Sequence, residues 1–136
     1  QAGWQDEILG KRTLKSYYGT FLRGNITNKN VDLKAPPAVW AGYADLVDGP
    51  PADKTVPWYI EEVDGKAVFK SPWGLVDFYV SASHFNTLKL KWPASDWEKW
   101  TPVKNDNGTW SFQSVHGTWM SAKADKSAWQ QPASST

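Results

Sequence analysis

The hydrophobic positions of this chain fall in short runs broken by Gly, Pro, Asn and Asp, and no stretch of useful length repeats at the helical period. Runs of this kind, rich in β-branched and aromatic residues, predict short strands of an all-β protein. Asp64-Gly65 and Asn107-Gly108 stand between such runs and carry the residue types that tight hairpin turns with positive φ prefer. The predicted elements are strands joined by turns, with no helix among them.

The pattern recurs three times, opening on Trp4, Trp58 and Trp100 and reaching a glycine six to eight residues later at Gly10, Gly65 and Gly108. Each copy then runs through an apolar strand closed by Ser-x-x-Gly: Ser16-Tyr17-Tyr18-Gly19, Ser71-Pro72-Trp73-Gly74 and Ser114-Val115-His116-Gly117. An aromatic and an aliphatic residue follow, as Phe21-Leu22, Tyr79-Val80 and Trp119-Met120. A last shared piece is Leu33-Lys34-Ala35-Pro36, Leu90-Lys91-Trp92-Pro93 and, more weakly, Ala128-Trp129-Gln130-Gln131-Pro132. Four strands in each of three diverged repeats make twelve. Equivalent apolar positions read as core, which assigns there Trp4, Trp58 and Trp100, then Leu14, Phe69 and Phe112, then Phe21, Tyr79 and Trp119. Trp110, two residues before Phe112 on one strand face, joins them.

The composite motif Gly-x-x-apolar-x-Ser-x-x-Gly-x-aromatic-aliphatic-Ser-Ala, clearest in 65–82 and 108–122, resembles the fascin and hisactophilin type of β-trefoil. The resemblance implies an all-β fold, a β-trefoil in one domain over 1–136, with repeats at about 4–57, 58–99 and 100–136. The chain starts one strand before the family's usual repeat start, so the early strand at the front replaces one missing at the end. One departure bears on function: the first repeat carries an insertion at 38–57 that the others lack. Loops this long are uncommon in compact domains unless they bind something or are disordered.

Once the repeat-equivalent rings are assigned to core, Trp40, Trp73, Trp92, Trp97, Trp129, Tyr17, Tyr18 and Tyr43 are left over. Trp40 and Tyr43 lie in the insertion beside Asp45 and Asp48, and Trp92 and Trp97 bracket Asp96 in a short Pro-containing loop. Trp73 falls in the second Ser-x-x-Gly, where the other copies have Tyr18 and His116. Rings interleaved with Asp and Asn are what a sugar site requires: the ring face packs on the apolar face of a pyranose, and the carboxylate or amide fixes hydroxyls. The candidate ligand-binding set is therefore Trp40, Tyr43, Asp45, Asp48, Trp73, Trp92, Asp96 and Trp97. The competing picture is three related pockets at Tyr18, Trp73 and His116, and the plainest one is that these rings only cover the ends of a barrel.

Composition narrows the function further. A chain of 136 residues fits one core, and 10 Trp, 5 Tyr and 5 Phe supply the large buried areas it needs. Lys and Arg number 15 against 14 acids, a balance that offers no broad footprint for nucleic acid. No apolar run approaches a membrane span. Without Cys there are no disulfides or thiolate sites, and the two His, His84 and His116, lack the spacing of a metal centre. No Gly-x-Ser-x-Gly elbow appears. The resemblance would give His116 the pH-switch role of the family's His-rich members; with two His in the chain, it reads instead as a turn-tip hydrogen bonder.

These readings give the expectation of a non-enzymatic carbohydrate-binding protein without cofactor or metal, and with Gln1 fitting a mature, secreted chain. The alternatives are a fascin-like actin-binding domain and a protein-binding inhibitor acting through the 38–57 loop.

Overall fold

The computed structural model describes residues 3–25, 43–47, 58–73, 76–82, 88–91, 94–123 and 128–132, with backbone alone at 23–25, 43–47 and 71–77. Strands dominate. After a five-residue helix α1 (Trp4–Ile8) come β1 (Gly10–Arg12), β2 (Phe21–Asn25), β3 (Tyr43–Val47), β4 (Trp58–Val63), β5 (Lys66–Trp73), β6 (Val76–Ala82) and β7 (Leu88–Lys91). A 3-10 turn (Asp96–Glu98) precedes β8 (Thr101–Lys104), β9 (Trp110–Gln113), β10 (Trp119–Ala122) and β11 (Ala128–Gln131).

Among the described residues all strand pairs are antiparallel, in a seven-stranded sheet ordered β1-β4-β5-β6-β7-β3-β2 and a four-stranded sheet ordered β11-β10-β9-β8. The two sheets are stitched at Ala67 and Trp100, whose backbone N–H groups donate to each other's carbonyls at 2.8 Å.

The register repeats where the sequence pattern repeats. Lys15 pairs with Phe21, Lys70 with Tyr79 and Gln113 with Trp119, each a residue before the Ser-x-x-Gly motif joined to the aromatic after it. Arg12 pairs with Trp58, and Ala67, three residues before Lys70 as Arg12 is before Lys15, pairs with Trp100. The two tryptophans are fully buried, and their indole N–H groups donate at 3.0 Å to the carbonyls of Leu22 and Val80, which hold corresponding positions in successive copies. A buried indole N–H needs such a partner, and a buried carbonyl needs a donor.

Turn chemistry follows the sequence. Asp64 and Gly65, at φ 55° and 78°, close the two-residue hairpin between β4 and β5, with Val63 opposite Lys66. At Ser16 and Ser114 the serine hydroxyl accepts the N–H two and four residues on, the glycine N–H donates to the serine carbonyl at 3.0 Å, and Gly19 and Gly117 adopt positive φ. Asn105-Asp106-Asn107-Gly108-Thr109 makes the same backbone turn, with Asn105 N–H donating to the Thr109 carbonyl at 2.8 Å.

The core gathers Ile8, Leu22, Trp58, Ile60, Ala67, Phe69, Phe78, Val80, Leu88, Leu90, Trp100 and Phe112. Phe69 and Phe112, assigned to one repeat-equivalent set, meet edge to face with centroids 4.8 Å apart, and Leu14 packs partly buried against the cluster.

Several expectations change. Trp4 is half-buried on α1 rather than fully buried on a strand, so the described residues hold eleven strands where twelve were expected. Phe21, Tyr79 and Trp119 are also half-buried; alternation along the strand turns their neighbours Leu22 and Val80 into the core instead. Residues 43–47, read as part of an inserted loop, form β3 and pair along β2, with Asp45 opposite Arg23 in register. β5 runs on through Ser71 and Pro72 to Trp73, which pairs with Val76 at the end of the strand pair, so the second Ser-x-x-Gly differs from the turns at Ser16 and Ser114.

Candidate functional site

A cleft of about 730 Å³ opens between the Ser16 turn and the strand-and-turn segment 105–111. That size lies within the ~300–1,000 Å³ typical of small-ligand sites. Its floor is apolar: Ile8, Leu14, Leu22, Ile60, Phe112 and Met120.

One wall is aromatic. Tyr17 and Tyr18 occupy the crown of the Ser16–Gly19 turn, with Tyr17 96% and Tyr18 52% exposed. Their rings stand edge to face, centroids 5.3 Å apart and planes at 84°. The turn is braced from below, where the Ser16 and Thr20 hydroxyls share a hydrogen bond at 2.6 Å and the Tyr18 N–H donates to Ser16 Oγ at 3.1 Å. Trp110 adds a third, half-buried ring.

The other wall is polar and built by Asn105, Asn107, Thr109 and Ser111. Asn105 Nδ2 donates to Thr109 Oγ1 and Ser111 Oγ at 3.1 and 3.0 Å, and Asn107 Oδ1 accepts from the Thr109 N–H and hydroxyl at 3.1 and 2.6 Å. These bonds fix both amides while leaving Asn105 Oδ1 as an acceptor and Asn107 Nδ2 as a donor, neither with a partner among the described residues. Held rings beside held amides can stack on one face of a ligand and direct hydrogen bonds to its edge.

Of the residues singled out by sequence, Asp96 and Trp97 are described with their side chains, and neither lines the cleft. Trp40, Asp48 and Trp92 fall outside the described residues. Tyr43 and Asp45 are on β3 and Trp73 at the end of β5, placed by their backbone alone. Trp97 is half-buried and packs edge to face on His116 at 5.2 Å, while His116 Nε2 bonds the Ala82 carbonyl at 3.0 Å. Asp96 is exposed and paired with Lys99 at 3.4 Å. The same ammonium donates to Asp64 at 2.7 Å; that hydrogen bond, reinforced by charge attraction, holds the Asp64 carboxyl below its ordinary range and raises Lys99 above its own. Trp97 and Asp96 therefore take part in local packing and ion pairing, at a distance in sequence and element from the cleft.

Tyr17 and Tyr18 were legible as rings without a core role; Asn105, Asn107, Thr109 and Ser111 were not singled out. Their signal was the asparagine-rich turn 105–109, which reads equally well as turn chemistry alone.

Among the described residues no three His, Asp or Glu side chains gather as a metal site, and no helix is long and apolar enough to cross a membrane. No protein-family model and no curated protein matches this chain.

Proposed function

We propose that this protein is a non-enzymatic carbohydrate-binding β-trefoil whose saccharide site is the cleft between Tyr17-Tyr18 and Asn105-Asn107. The trefoil reading is supported by the recurring bridges Lys15–Phe21, Lys70–Tyr79 and Gln113–Trp119, and by the matched indole bonds of Trp58 and Trp100.

The observation that carries the sugar reading is the exposed pair Tyr17-Tyr18 lining one cleft with two braced asparagine amides. A phenol ring 96% exposed buries almost nothing within its own fold, so its apolar face is free for a partner. Pyranose rings present the matching surface, an apolar face edged by hydroxyls that accept and donate.

The test is a glycan-array screen followed by titration calorimetry with the best saccharide. Tyr18→Ala should weaken binding by about 1–3 kcal/mol, as truncation of an anchoring ring does, while the unfolding midpoint stays put. Trp40→Ala is the contrast, since it probes the 38–57 segment instead. Absence of any saccharide binding, or a loss confined to Trp40→Ala, would overturn the assignment.

A further inference from the structure

Among the described residues the charged side chains lining the cleft are of one sign: Arg12 and Lys15 line it, and no described aspartate or glutamate does. Both cations are exposed, and neither pairs with a carboxylate among the described residues. Arg12 makes one bond of its own, Nε to the Leu9 carbonyl at 3.3 Å, and Lys15 Nζ lies 6.0 Å from the centre of the Phe21 ring. Asp106 shares the turn with Asn105 and Asn107 but does not line the cleft.

This one-sidedness is local. The chain carries 14 acids against 15 bases, and three lysines elsewhere meet carboxylates: Lys70 with Glu61 at 2.9 Å, Lys99 with Asp64 and Asp96, Lys104 with Glu7 at 2.7 Å. A site for neutral sugars gains most from carboxylates, which accept strongly from hydroxyls. Here the acceptors are amide and hydroxyl oxygens, and the strong groups are both cationic donors.

We propose that the saccharide bound in this cleft is acidic, its uronate carboxylate or sulfate ester held by Arg12 and Lys15 while a neighbouring ring stacks on Tyr17 and Tyr18. The inference rests on the carbohydrate reading above and specifies its ligand class. Arg12 suits either anion, because its planar donor fork matches carboxylate and sulfate oxygens alike, whereas Lys15 contributes a point charge.

The experiment compares three tetrasaccharides by calorimetry, one of galacturonate, one of sulfated galactose and one of unmodified galactose, with poly-glutamate as a polyanion lacking sugar. At least one acidic tetrasaccharide should bind roughly tenfold more tightly than the neutral one, the scale of two exposed ion pairs, and which one does so identifies the anion. The preference should shrink as salt is raised from 50 to 500 mM. Arg12→Gln combined with Lys15→Gln should bring the acidic-to-neutral affinity ratio to about one, while Arg12→Lys with Lys15→Arg keeps it above one; circular dichroism checks that each variant folds.

Neutral binding with no acidic preference would overturn this inference and leave the carbohydrate reading standing. Binding of no saccharide, or of poly-glutamate as tightly as the acidic sugars, would overturn both. An acidic preference that survives the double glutamine variant would place the anion outside the cleft and overturn the role of Arg12 and Lys15.

Discussion

Replacing Trp100 by Phe should destabilise the fold by about 2–4 kcal/mol, and the same change at Trp58 should cost about as much. Each indole is fully buried and donates to one strand carbonyl, Val80 for Trp100 and Leu22 for Trp58, both at 3.0 Å. Phenylalanine leaves that carbonyl without its donor, which costs about 1–3 kcal/mol for a buried group. The missing half of the ring system leaves a void of ~40 Å³, adding about 1 kcal/mol at the cavity rate of ~24 cal/mol per Å³. Trp4→Phe should cost less than about 1 kcal/mol, because Trp4 is half-buried and makes no corresponding bond among the described residues. The assay is urea unfolding followed by far-ultraviolet circular dichroism, read as a midpoint shift at constant slope. If Trp4→Phe cost as much as the other two, or if Trp58→Phe and Trp100→Phe differed by more than about 2 kcal/mol, the equivalence argued from register would be wrong.

Gly19→Ala should cost about 1–2 kcal/mol, since a Cβ there meets nothing within 4 Å and the whole penalty comes from φ +83°. Thermal unfolding beside wild type reads it, and a neutral result would show that the Ser16 turn can change conformation. Ser114→Ala should lose about 1–2 kcal/mol, because one hydroxyl accepts from the His116 and Thr118 N–H groups and bonds Thr118 Oγ1. A loss within 0.3 kcal/mol of zero by urea unfolding, an order-of-magnitude bound on experimental scatter, would refute it. The Asp64–Lys99 pair sets a pH dependence with two edges. Asp64 is depressed in the folded state, so its contribution is complete above the ordinary carboxylate range and vanishes as pH falls through the depressed value; Lys99 is raised, so its share is complete below the ordinary lysine range and fades as pH rises through the raised value. Wild type should therefore exceed Asp64→Asn in stability at neutral pH, with the gap closing in strong acid, and a gap that persists there would contradict the assignment.

Much of the fold was legible because turns and buried polar groups impose local rules. Asp64-Gly65 could be placed as a hairpin since few other pairs tolerate positive φ at both positions, and Trp58 and Trp100 stood out because each opens a copy of the same pattern. The second Ser-x-x-Gly misled for a reason: three additional residues before Tyr79 let the strands run on, so Ser71, Pro72 and Trp73 lie in β5. In the first copy, the inserted length hid which piece forms the last strand, and Tyr43–Val47 took it.

The site was half legible. Tyr17 and Tyr18 lacked a core role in the pattern, but Asn105 and Asn107 lie almost ninety residues further along, and only the topology brings that turn beside them. Trp97 looked equally spare, and it packs half-buried and edge to face on His116, a neighbour nineteen residues further along. A ring's availability depends on neighbours distant in sequence, which pattern reading does not reach.

The most direct test of the proposal that the cleft binds saccharide is a two-dimensional ¹H–¹⁵N correlation spectrum of the labelled protein during titration with the best array saccharide. Amide shifts should move together at 15–18 and 105–111, with Tyr17, Tyr18 and Asn107 among the largest and with saturation transferred to the sugar ring protons. Shifts centred instead on 43–48, Trp73 or Asp96-Trp97, with 15–18 and 105–111 unmoved, would contradict it.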